Sequence, residues 1–110
     1  MEDSAVASKE YDTSVKVTLS CTSDAGWGRA VFFCGSFTEA NNWTKAVRGI
    51  CSSTGNIWTV TVKVPASGNF EWKPTKGQYD LGELTNQSSV SEWYPGTDNL
   101  KYPNTTSVNW

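Results

Sequence analysis

Residues 58–64, Trp58-Thr59-Val60-Thr61-Val62-Lys63-Val64 (WTVTVKV), alternate apolar and polar side chains without a break. Trp58, Val60, Val62 and Val64 therefore share one face, and Thr59, Thr61 and Lys63 the other. A period of two predicts a β-strand with one face buried. Pro65 and Gly68 end it. Upstream, Val15-Lys16-Val17-Thr18-Leu19-Ser20-Cys21 alternates in the same way, and a turn at Gly26-Trp27-Gly28 leads into Ala30-Val31-Phe32-Phe33-Cys34. That continuous apolar run reads as a more deeply buried strand. Val47–Cys51 is a short third candidate, followed by the turn Ser53-Thr54-Gly55-Asn56. Downstream, Asn69-Phe70-Glu71-Trp72-Lys73 starts a strand that Pro74 is expected to stop, and residues 74–90 read as a long mobile loop. Strand character returns near Val90–Tyr94, Leu100–Tyr102 and Thr106–Trp110. Helix signals are nearly missing. Seven or eight short strands between turns predict an antiparallel β-sandwich or a partly open barrel.

The chain has 110 residues, room for one core and no second. Residues 1–11 read as a disordered N-terminal linker or tail, or the end of a module cut from a longer protein, and residues 12–110 as the folded unit. A net charge of −2 and a pI near 5.0 exclude a basic stripe for nucleic acid. No apolar run reaches membrane-spanning length, and no signal-peptide pattern opens the chain. Histidine is absent. With it go the commonest general base and the commonest metal ligand, so neither metal nor cofactor is expected. Cys21, Cys34 and Cys51 have no zinc spacing. Cys34–Cys51 is one possible disulfide, worth roughly 3 kcal/mol if unstrained; three small buried thiols are the other reading.

Six tryptophans are more than a core of this size needs, and a surplus on a polar background suggests a binding face. Their settings differ. Trp58 and Trp72 share faces with apolar residues and belong to the core, and Trp110 closes the sheet by packing. Trp43, in Asn41-Asn42-Trp43-Thr44-Lys45-Ala46-Val47, has no apolar neighbour before it. Trp27 stands at a turn tip, and Trp93 lies beside Pro95 at a strand edge.

In order, VFFCGSF, NNW, GNIWTVTVKVP, FEWK and EWYPGTDN resemble the starch-binding domains of carbohydrate-binding module family 20 and their relatives. The similarity spans roughly residues 15–110. It implies an immunoglobulin-like β-sandwich that binds α-1,4-glucans without cleaving them. The family's paired stacking tryptophans fall on Trp43 and Trp93, its accompanying lysine on Lys73 and its asparagine on Asn99. Trp27 matches the first aromatic of a second sugar site, whose partner ring would lie in residues 52–57; these contain no aromatic. Phe37 and Thr38 stand where an apolar-Pro pair is more usual.

The chemistry suits these residue types. A glucose ring offers axial C–H bonds on one face and hydroxyls around its edge. An indole covers the first, and burying about 100 Å² of apolar area contributes on the order of 2–3 kcal/mol before ordering costs. Amides and ammonium groups serve the second. The resemblance thus implies a monomeric module, secreted as part of an amylase-type enzyme, with starch and malto-oligosaccharides as partners. Two other readings are a Trp-rich protein-recognition sandwich and a regulatory glycogen-binding domain. An enzyme would need paired carboxylates across a cleft, and Asp24, Glu39, Glu71, Asp80, Glu83, Glu92 and Asp98 are scattered. Three sequons occur, at Asn42, Asn86 and Asn104, and a glycan on Asn42 would obstruct Trp43.

Overall fold

The computed structural model describes residues 15–52 and 56–110, so the expected tail over 1–11 lies outside the described residues. The alternating stretch forms β5 (Ile57–Lys63), with Trp58, Val60 and Val62 buried. It pairs antiparallel with β1 (Lys16–Thr22), and Trp58 lies opposite Cys21. On its other side, β4 (Ile50–Cys51) places Cys51 opposite the same Trp58. A parallel strand, β10 (Ser107–Asn109), completes this four-stranded sheet beside β1.

The second sheet has six strands. Its centre is β2 (Arg29–Gly35), between β3 (Ala46–Arg48) and β6 (Phe70–Gln78). β7 (Glu83–Leu84) extends it beyond β3. Beyond β6 lie β8 (Glu92–Trp93) and β9 (Leu100–Tyr102). Two single 3₁₀ turns, Thr38–Ala40 and Gln87–Ser89, are the helical segments among the described residues. The β-sandwich expected from the sequence is therefore present. Ten strands are described rather than seven or eight, because β4, β7 and β8 are only two residues long.

Every residue from Ala30 to Gly35 is buried, because both faces of the larger sheet are covered. Trp72 packs on Phe33 with ring centroids 6.0 Å apart, on the face turned toward the four-stranded sheet. Alternation then puts Glu71, Lys73, Thr75 and Gly77 on the outer face. There the fully buried Leu84 approaches so closely that a Cβ on Gly77 would lie 2.8 Å from its side chain.

Three expectations need correction. Pro74 does not end its strand: β6 runs through it to Gln78, and residues 79–90 carry β7 and a 3₁₀ turn rather than a featureless loop. A strand residue points its N and O to the same side, and Pro74 O accepts from Tyr94 N at 3.0 Å. Its missing N–H therefore faces the side where β6 changes partner, from β9 at residues 70–72 to β8 at 75–76. Val47–Cys51 is not one strand but two, in different sheets, which part at Gly49. A Cβ there would lie 2.8 Å from the Phe33 ring.

The Cys34–Cys51 disulfide is corrected as well: all three cysteines are free, and Cys51 is exposed rather than buried. Cys21 and Cys51 flank Trp58 from opposite sides, two strand spacings or roughly 9–10 Å apart, beyond disulfide reach. Cys34 belongs to the other sheet and donates its Sγ–H to Lys45 O at 2.9 Å. Burial pushes the thiols of Cys21 and Cys34 up to about 11.

Candidate functional site

The β2–β3 connection is built on unusual backbone. Asn41, Asn42 and Trp43 are all left-handed, with φ of 49°, 52° and 72°. Asparagine tolerates this region, whereas a bulky Trp there is strained. Surrounding bonds impose it: Asn41 N donates to Thr38 O at 2.8 Å, Thr44 N to Ala40 O at 3.1 Å and Lys45 N to Ala40 O at 3.0 Å. Trp43 N donates to Gly35 O at 2.8 Å, and Thr44 Oγ1 to Asn41 O at 2.9 Å. The indole packs partly on the core and stays half-exposed. The two asparagines thus do geometric work: they turn the chain so that Trp43 leaves the end of β2 toward solvent.

Gly35 is one step from Cys34, the register partner of Lys73. Two residues further along β6, Thr75 lies opposite Trp93. Cross-strand partners share a face, so Trp93 stands on the outer face with Lys73 and Thr75. Trp93 is half-buried against the core margin, like Trp43.

Between the two, Lys73 is 8 % exposed, and its Nζ donates to Gly96 O at 2.6 Å. That bond ties loop 94–99 down beside the strand. Asn99 Nδ2 donates to Glu71 Oε1 at 2.9 Å. A carboxylate only accepts, so the amide nitrogen must face Glu71, and Asn99 Oδ1 is turned away from it as an acceptor. Lys101 Nζ reaches the same carboxylate at 3.5 Å. The Asn99 hydrogen bond first, and the Lys101 charge second, hold Glu71 below the usual carboxylate range.

Three of the five sequence candidates, Lys73, Trp93 and Asn99, thus lie on the outer side of β6, and the backbone of Trp43 is tied to the neighbouring end of β2 at Gly35 O. Trp27 is not among them. It lies before the start of β2, where Arg29 faces Gln78, at the opposite end of the strand from Gly35. It is fully exposed. The remaining tryptophans are structural. Trp58 is buried and donates Nε1–H to Ser23 O at 3.0 Å, and Trp72 donates to Thr105 O at 3.0 Å. Trp110 lies under Lys76 Nζ, 4.1 Å from the ring centroid, and meets Tyr94 edge-on. Sequence reasoning missed Glu71 as the anchor of Asn99, although its place two residues before Lys73 puts both on one strand face.

The starch binding domain family model matches residues 14–109, and the chain belongs to that family. The chain is 32 % identical over 73 residues to a lytic polysaccharide monooxygenase A of the AA13 family from Aspergillus terreus. That match covers 62 % of this chain but only 18 % of the relative. In fold it is similar to the family 20 module of a maltotetraose-forming amylase from Pseudomonas saccharophila STB07. There the TM-score is 0.65 at 24 % identity, over 87 % of this chain and all of that one. A family 15 glucoamylase from Hypocrea jecorina gives a TM-score of 0.66 at 23 % identity, over 89 % of this chain and 17 % of the enzyme.

Proposed function

We propose that this starch-binding module holds α-1,4-glucans by stacking adjacent glucose rings on Trp43 and Trp93. Lys73 and Asn99 serve the hydroxyls between them. The observation that carries this reading is that Lys73, Trp93 and Asn99 share the outer side of β6 while the partly exposed Trp43 is anchored at the same end of the sheet, at Gly35 O. Lys73 keeps protons beyond the one given to Gly96 O, and Asn99 keeps its carbonyl oxygen, so a donor and an acceptor remain for sugar. Strain at Trp43 supports it as well: a left-handed Trp held by its surroundings is a feature that folding alone does not call for.

The module, residues 12–110, acts without catalysis, as a monomer. It tethers a starch-acting catalytic unit to insoluble substrate outside the cell and raises its local concentration. The likeness to a region of a polysaccharide monooxygenase, and the shared fold with an amylase module and a glucoamylase, support a partner drawn from these enzyme classes.

Sedimentation with granular starch, with β-cyclodextrin calorimetry alongside, tests the reading. The wild type should pellet and bind, and Trp43→Ala and Trp93→Ala should each lose most retention. Equal retention of all three would overturn the site. A wild type that neither pellets nor binds would overturn the function.

A further inference from the structure

Two of the three sequons have their asparagine engaged elsewhere. Asn42 belongs to the left-handed run that presents Trp43. The Asn86 carbonyl accepts from Ser88 Oγ at 2.5 Å, Ser89 N at 3.2 Å and Ser89 Oγ at 3.1 Å. Asn104 differs. It is exposed, and its carboxamide makes no hydrogen bond among the described residues. The backbone around it is nevertheless fixed. Thr105 N donates to Lys101 O at 2.7 Å, Thr105 O accepts from Trp72 Nε1 at 3.0 Å, and Thr106 O accepts from Ser20 N at 2.9 Å. A free amide on a pinned turn, with the Thr106 hydroxyl two residues on, is what N-glycosylation asks of an acceptor.

Asn104 also borders an open hollow of about 510 Å³. Tyr102, two residues before the acceptor, lines the same hollow. Phe70 stacks on one face of that ring, with centroids 4.9 Å apart and planes 8° from parallel, which holds it in place. Pro103 adds a second apolar wall, and Glu71 and Lys101 add a carboxylate and an ammonium paired at 3.5 Å. N-acetylglucosamine has parts to match each of these. Its C–H face and acetamido methyl suit the tyrosine and proline, its amide N–H suits the carboxylate, and its oxygens suit the ammonium.

We propose that Asn104 carries an N-linked glycan whose first N-acetylglucosamine folds back into this hollow against Tyr102. This rests on the reading of the module as part of a secreted enzyme. The donor is a lipid-linked oligosaccharyl diphosphate of the secretory pathway. A bond forms between Asn104 Nδ2 and the anomeric carbon, and the bond from that carbon to the diphosphate oxygen breaks. Nδ2 gives up one proton, and the lipid diphosphate leaves with the bonding electron pair. Asn99 holds Glu71 Oε1, whereas the hollow takes the Lys101 side of that carboxylate, at Oε2. The glycan therefore leaves the proposed glucan site open.

The test secretes the full chain from a eukaryotic host and maps each sequon by peptide mass spectrometry, after enzymatic deglycosylation in heavy-oxygen water. Asn104 should appear as labelled aspartate in most molecules, and Thr106→Ala should abolish that label. An Asn104 peptide recovered unmodified would overturn the proposal, whatever Asn42 and Asn86 carry. The seat is read in an Asn42→Gly/Asn86→Gln background, where Asn104 is the remaining sequon. Protein trimmed to one sugar should melt about 3 °C or more above the same protein made without glycan in bacterial cytosol. Tyr102→Leu should remove that gap, and Lys101→Ala, at an exposed position, should narrow it. Equal melting of the trimmed and unglycosylated forms would overturn the seat. Starch sedimentation of both forms keeps the two readings apart, and they should pellet alike. Loss of pelleting in both would overturn the glucan reading and leave Asn104 standing. Loss in the glycosylated form alone would overturn the placement of the sugar in this hollow.

Discussion

Trp43 N donates to Gly35 O at 2.8 Å, and through this bond the proposed stacking ring is referenced to β2 and so to Lys73. Gly35 can serve only because it lacks a side chain. A Cβ there would collide with Glu71 O and lie 2.7 Å from the Phe37 ring. Gly35→Ala should lower stability by about 1–3 kcal/mol or more in urea unfolding and weaken starch retention with it. An unchanged denaturation midpoint would contradict the close approach.

The left-handed run at residues 41–43 predicts an asymmetric response at Asn42. Replacement by Gly should leave stability within a few tenths of a kcal/mol, whereas Asn42→Val should destabilise by roughly 1–2 kcal/mol. Thermal melts of the two variants, which both remove the sequon, compare backbone demand with everything else equal.

Lys73→Met keeps the buried stem and removes the ammonium that holds Gly96 O. The loop 94–99 should loosen, and β-cyclodextrin affinity should fall about tenfold with little change in melting temperature. Equal losses in affinity and stability would mark Lys73 as a merely structural lysine.

Glu71 supplies a pH dependence of defined sign. Its folded pKa is depressed, so its contribution is complete above the ordinary glutamate range and is lost as pH falls through the folded value. Glucan affinity should stay level from about pH 5 to 8 and decline only in stronger acid, as protonation weakens the hold on Asn99. Glu71→Gln should flatten that acid limb in calorimetric titrations.

With three free thiols, reductant should leave the melting temperature unchanged. Cys51 is exposed, while Cys21 and Cys34 are buried with raised pKa values. A thiol reagent should label Cys51 rapidly in the native protein, and the other two only after denaturation.

Much of the fold was legible because alternation is a local property. Val60 and Val62 announce which face of β5 is buried whatever the rest of the chain does. Pro74 misled because its effect depends on which side its missing N–H faces, and that is set by β8 and β9, from distant sequence. Gly49 misled in the same way: the parting of β3 and β4 answers to the Phe33 ring and leaves no mark in the intervening residues. The tryptophans sorted correctly into core and surface by their neighbours.

Lys73 and Asn99 are each already bonded before any sugar arrives, one to Gly96 and the other to Glu71. The loop between Trp93 and Leu100 is thereby laced to β6 at two points. A platform preorganised in this way gives up little conformational freedom when it is occupied. Under the proposed stacking on Trp43 and Trp93, selectivity would then reside in spacing: a glucan whose rings do not match the interval between the two indoles would gain only one stacking contact, however flexible the polysaccharide itself is.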